Sequence, residues 1–136
     1  MKKIIKTAYQ LAKDVRDHAY APYSGFKVGA ALVVKDSDKI YTGCNVENAS
    51  YGATICAERN ALWHAIAQDG KQPYESIVIV SDSKPPVPPC ALCLQVLVEF
   101  CPSTLDIYLG TLDTIEQHYI LKELLPYPFD VDKLPK

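Results

Sequence analysis

Along the first twenty positions apolar residues recur at Ile4, Ala8, Leu11, Ala12, Val15 and Ala19, with Lys and Asp residues between them. That spacing gathers them on one face, so the chain opens with an amphipathic helix. Pro22 and Gly25, in "YAPYSGF", end it in a turn. The pattern then changes. "FKVGAALVV" and "IYTGCNV" are rich in β-branched and aromatic residues, are separated by "KDSDK", and predict a hairpin. "ENASYGATI" reads as loop, after which "CAERNALWHAIAQDG" returns to strong helix formers and stops at Gly70. "ESIVIVSD" is a short apolar run that predicts a buried strand. Beyond the rigid loop "SKPPVPP" come a helix over "CALCLQVLVEFC", closed by Pro102, and a strand over "LDIYLG". "HYILKELLP" fits a short strand and a short helix equally well, and "YPFDVDKLPK" predicts irregular chain.

The order α-β-β-α-β-α-β predicts an α/β fold, a three-layer α/β/α sandwich whose mixed sheet is covered on both faces. At 136 residues, with no internal repeat or dividing linker, one domain over 1–136 is expected. A hydrophobic fraction of 49% supplies a core without cysteine staples. The net charge of −2 leaves no cationic footprint for nucleic acid or for an anionic membrane surface. No apolar run approaches a membrane span, and Lys6, Lys13 and Asp14 interrupt what would be the apolar stretch of a signal peptide. A cytoplasmic protein is therefore expected, in which five cysteines point to metal or thiol chemistry and not to a disulfide framework.

Two segments concentrate that chemistry. "TICAER" puts Cys56 at the predicted first turn of one helix, and "PPCALCLQ" puts Cys90 and Cys93 on one face at the start of another. Helix N-termini carry partial positive charge, which lowers thiol pKa values and steadies thiolates. Three protein ligands with a fourth position open is the arrangement of catalytic zinc, as against a closed four-ligand structural site. Glu58, two residues after Cys56, stands where it can move protons without ligating. Arg59, three residues after Cys56, can reach the sulfurs and offset their charge.

Other readings remain open at this point. A Cys-x-x-Cys in an α/β chain can be a redox pair, which leaves Cys56 and Glu58 without a role. A structural zinc site would need a fourth ligand, and His64 sits about 12 Å along the helix from Cys56, too far to share a metal. A zinc-binding oligomeric module without catalysis has no use for an acid at Glu58. His18 and His118 read as surface or packing residues, and Cys44 and Cys101 as small apolar residues.

Cys-x-Glu followed by Pro-Cys-x-x-Cys is the signature of zinc deaminases. From "YAPYSGFKVGAAL" through "GCNVENASYGATICAERNAL" and "PPCALCLQVLVEF" to "ELLP" the chain resembles the cytidine deaminases, specifically the short homotetrameric kind. The resemblance implies a five-stranded α/β/α sandwich and hydrolytic deamination of cytidine and deoxycytidine to uridine and deoxyuridine, with release of ammonia in pyrimidine salvage. It implies one zinc per subunit on Cys56, Cys90 and Cys93, with Glu58 as proton shuttle. Asn45 and Glu47 resemble the pair that binds the ribose 3′-hydroxyl, and Phe26 the residue packed beside base and sugar. A backbone N–H near Ala57 is placed to hold the base carbonyl. Tyr51 and Phe129 resemble contacts supplied to a neighbouring subunit's pocket, so that active sites are shared across the tetramer. A related implication is a deaminase acting on 4-substituted cytidines or on a cytosine-nucleoside antibiotic.

The "PPCALCLQ" stretch is also where the chain departs from that family. The usual run is similar to "PCGACRQ", whereas here Ala91, Leu92 and Leu94 replace its Gly, Ala and second Arg, and Pro88 stands where Ser is common. Arg59 is thereby expected to be the sole cation beside the sulfurs.

Overall fold

The computed structural model describes residues 1–135. Helix α1 (Lys3–Arg16) is followed by strands β1 (Gly29–Val34) and β2 (Ile40–Cys44), helix α2 (Ala57–Asp69), strand β3 (Tyr74–Val80), helix α3 (Ala91–Phe100), strands β4 (Asp106–Gly110) and β5 (Ile115–Ile120), and a single-turn helix α4 (Leu121–Leu124). The sheet runs in the order β2-β1-β3-β4-β5. Only β3 and β4 are parallel, and the crossover between them is α3, as a parallel pair requires.

Alternation along the central strands divides the core. Ala31, Val33, Val78 and Val80 face α1, meeting Ile5, Ala8 and Ala12. Ala30, Leu32, Ile77, Ile79, Ile107 and Leu109 face the other way, against Ala57, Ala61, Leu62 and Ala65 of α2 and Leu94 and Leu97 of α3. All six residues of β1 are buried because both its faces are covered. The expected three-layer mixed sandwich is the fold observed. Among the described residues no helix is long and apolar enough to cross a membrane.

Close packing of β2 on α2 depends on Gly43. A Cβ there would lie 2.3 Å from the backbone N of Ala61 and 2.8 Å from the Ala57 carbonyl. This contact seats the first turn of α2 on the sheet and so sets the depth of Cys56 and Glu58.

Several boundaries differ from the sequence pattern. Helix α1 ends at Arg16, and the N–H groups of His18 and Ala19 bond the carbonyls of Val15 and Arg16 in tighter turns, although Ala19 stays buried as its pattern required. The first strand begins at Gly29, and before it the Asn45 side chain bonds the Val28 N–H and the Phe26 carbonyl while the Asn45 main-chain N–H donates to the Val28 carbonyl. "HYILKELLP" is both things it resembled: β5 runs to Ile120 and α4 starts at Leu121 with no turn residue between. The tail is irregular except for one 3-10 turn over Val131–Lys133.

Candidate active site

Cys56 is the N-cap residue of α2 and Cys90 that of α3, while Cys93 lies in the first turn of α3. Their sulfurs all lie within 4.8 Å of one another, and those of Cys90 and Cys93 are 3.6 Å apart. Cys93 is fully buried, Cys56 partly buried and Cys90 exposed. Among the described residues this is the one cluster of three or more potential ligand side chains. Arg59 turns back along α2 and donates from Nη2 to Cys56 Sγ at 3.4 Å. Hydrogen bonding from Cys93 and the Arg59 guanidinium lower the Cys56 thiol to about 5, and Cys93, as the donor thiol, is raised. A cluster that already favours a thiolate, capped by two helix N-termini and a guanidinium, is a donor set that fits zinc.

Glu58 lies beside the sulfurs, 6% exposed. Burial raises its carboxyl to about 7, its own backbone N–H opposes the rise, and the Cys56 thiolate adds to it. A carboxyl with its pKa near neutrality is suited to both taking and giving a proton.

A cavity of about 270 Å³ opens from these groups. Its walls include Cys56, Ala57, Glu58 and Cys90 together with Phe26, Asn45 and Glu47, whereas the buried Cys93 is not among them. Seven residues singled out in the sequence thus share one space. Asn45 is engaged at both ends of its amide: Oδ1 accepts the Val28 N–H at 2.8 Å and Nδ2 donates to the Phe26 carbonyl at 2.7 Å. One N–H of that amide is left over. The Ala57 N–H belongs to the first turn of α2, where no helical carbonyl reaches it.

Tyr51 and Phe129 do not reach this cavity within the chain. Tyr51 is 76% exposed and lines a neighbouring recess with Tyr23, Asn48 and Thr54. Phe129 is 59% exposed, with its carbonyl accepting from Gln95 Nε2 at 2.5 Å. His64 bonds the Thr42 carbonyl and meets the Tyr41 ring edge-on, while His118 stacks on Tyr108 beside Asp106; both are packing residues away from the sulfurs. Leu94 is buried in the core between α2 and α3.

The sequence pattern did not mark Ser24, Val28, Thr54, Ile55, Ile79 and Val87 as cavity walls, while Pro88, in the divergent loop, is one. Ser24 had a usable signal, a hydroxyl residue just before a turn glycine, which commonly bonds nearby backbone. Val87 and Pro88 had only the stiffness of the proline-rich loop.

The model for the cytidine and deoxycytidylate deaminase zinc-binding region matches residues 2–109. The chain belongs to that family. The match takes in all three thiols and Glu58, with Phe26, Asn45 and Glu47 of the cavity, while Phe129 lies beyond it. Among relatives of this deaminase-family chain, the cytidine deaminase of Halalkalibacterium halodurans is 47% identical over 131 residues, covering 96% of this chain and 95% of the relative. That of Sporosarcina psychrophila is 42% identical, covering 90% and 89%. The crystal structure of cytidine deaminase from Burkholderia pseudomallei superposes with a TM-score of 0.85 at 42% identity, covering 95% of this chain and all of that one.

Proposed function

We propose that this family member is a zinc-dependent cytidine deaminase, hydrolysing cytidine and deoxycytidine to uridine and deoxyuridine with release of ammonia. The observation that carries the reading is the shared cavity: the buried Glu58 and two of the three clustered cysteines, Cys56 and Cys90, line the same space as an amide, Asn45, and a carboxylate, Glu47. A free base would leave the spare Asn45 N–H and the last acceptor position of Glu47 unmet, so a nucleoside is the better occupant.

Cys56, Cys90 and Cys93 hold the zinc, one per subunit. When bound, zinc supplies the Lewis acidity that makes water a nucleophile at neutral pH. Glu58 accepts the proton that water gives up. It passes that proton to N3 of the pyrimidine as the water oxygen bonds C4, then takes the proton of the resulting C4 hydroxyl and gives it to the amino group as the C4–N bond breaks, so that one water enters and one ammonia leaves. The Ala57 N–H fixes the base carbonyl, and Phe26 packs along the base and sugar. Asn45 and Glu47 hold the ribose 3′-hydroxyl. Apolar walls at Val28, Ile79 and Val87 keep bulk water from weakening these interactions.

Exposure of Tyr51 and Phe129 outside the cavity supports their use by a neighbouring subunit, and hence a homotetramer with shared sites. A thiolate cluster suits a reducing compartment, which favours the cytoplasm.

The test is ultraviolet absorbance of zinc-quantified protein with cytidine, deoxycytidine, cytosine and 4-substituted cytidines, alongside light scattering for mass. Turnover of both nucleosides, but not of cytosine, is expected. Turnover confined to a 4-substituted cytidine would transfer the assignment to the related deaminase reading, because Val87 and Pro88, in the divergent loop, wall the cavity beside Cys90.

A further inference from the structure

Glu47 reaches the cavity from the segment after β2, and a short turn of chain already grips its carboxylate. Oε1 accepts the N–H of Tyr23 at 2.9 Å and that of Ser24 at 3.1 Å, and Oε2 accepts the Ser24 hydroxyl. Ser24 Oγ in turn accepts the Phe26 N–H at 3.0 Å. The chain between Ser24 and Phe26 swings through Gly25 at φ +69°, a left-handed conformation that suits glycine. A carboxylate has about four acceptor positions. With three taken, one remains, on the oxygen that Ser24 holds.

These bonds keep the Glu47 carboxyl below the ordinary carboxylate range, the Ser24 hydroxyl being the largest cause. Of the three donors, two are backbone. The hydroxyl is the one that belongs to a side chain, and it is also the one that bonds the backbone of Phe26. Ser24 therefore connects the acceptor at the sugar end of the cavity to the peptide that carries the aromatic wall. All three residues line the same space.

We propose that Ser24 is a positioning residue for nucleoside binding: its hydroxyl orients Glu47 Oε2 so that the remaining acceptor position receives a ribose hydroxyl, and it sets the spacing of Phe26 from that oxygen. This rests on the reading of Glu47 as a ribose acceptor. Without the hydroxyl, Oε2 must be ordered by the substrate itself, which weakens binding and leaves the chemistry at Glu58 untouched.

The experiment compares zinc-loaded wild-type protein, Ser24→Ala and Ser24→Thr on cytidine and 3′-deoxycytidine. The same pairing is repeated without turnover by calorimetric binding of uridine and 3′-deoxyuridine. Wild type should prefer the 3′-hydroxyl by about tenfold or more, the scale of a hydrogen bond to a charged group. Ser24→Ala should raise the cytidine KM about tenfold with kcat within about twofold, and should lose most of the 3′-hydroxyl preference. Ser24→Thr, which keeps the hydroxyl, should restore the preference. If Ser24→Ala keeps the full preference while both substrates weaken together, Ser24 only shapes the loop and the proposal is overturned. If wild type shows no 3′-hydroxyl preference, Glu47 is not the ribose acceptor and the proposal falls with that reading; the two failures differ because only the second is visible in wild type.

Discussion

Arg59 places its Nη2 3.4 Å from the sulfur of Cys56, the residue that begins the same helix. Leu94, next to Cys93, is buried and uncharged, and among the described residues Arg59 is the cationic side chain that hydrogen-bonds a sulfur of the cluster. Replacing Arg59 with Gln should weaken zinc retention by roughly 10- to 100-fold, the usual cost of losing a group that supports metal ligands. Competition against a chromogenic chelator reads this directly. Equal retention in the two proteins would assign the balancing of charge to the helix N-termini alone.

Glu58→Gln keeps the size of the side chain and removes its proton chemistry. Turnover should fall by about 10²- to 10⁴-fold, with metal content per chain unchanged. A variant that loses zinc instead would make Glu58 part of the metal's support.

Cys101 packs against the core just past α3, and burial pushes its thiol up to about 12, Lys71 opposing only weakly. Burial disfavours the charged thiolate, so the neutral form persists at every pH below that value. At pH 8 the thiolate is on the order of 10⁻⁴ of the total, against about one in four for an ordinary cysteine. Alkylation at Cys101 in the native protein, followed by mass spectrometry, should therefore be slow at pH 8 and rise about tenfold per pH unit towards pH 11. A rate flat in pH would show that opening of the structure, and not ionisation, limits access.

Gly43→Ala drives a methyl group into the backbone of α2, since neither Ala61 N nor the Ala57 carbonyl can yield as a flexible side chain would. A loss of about 3 kcal/mol is expected, seen as a fall in Tm of roughly 10 °C. An unchanged Tm would mean that α2 rides on the sheet less rigidly than its packing indicates.

The layers of the fold were legible because β1 has no polar side chain, β3 ends in the apolar run Ile77–Val80, and the α1 pattern repeats at helical spacing. The passage from β5 to α4 was not, because no glycine or proline marks it and the same apolar residues serve both periods. The convergence of Cys56 with Cys90 and Cys93 could be anticipated, since short motifs open two helices of one sandwich. The grip of Tyr23 and Ser24 on Glu47 is different in kind: two of its three donors are main-chain N–H groups, which every residue has and only loop geometry can aim. The outward placement of Tyr51 and Phe129 was likewise beyond periodicity, because a single aromatic in irregular chain belongs to no repeating pattern that separates buried from exposed positions.

The sulfur cluster joins residues 34 positions apart, with β3 threaded between its halves. Cys56 and Cys90 open the helices that precede and follow β3, which pairs with β1, so the folded sheet and not neighbouring sequence brings the three sulfurs together. The complete set of three sulfurs is thus a property of the folded chain. A nascent or partly unfolded chain offers at most the adjacent pair Cys90 and Cys93, a far poorer chelate, so the ion selects the finished fold and in doing so marks which molecules have reached it.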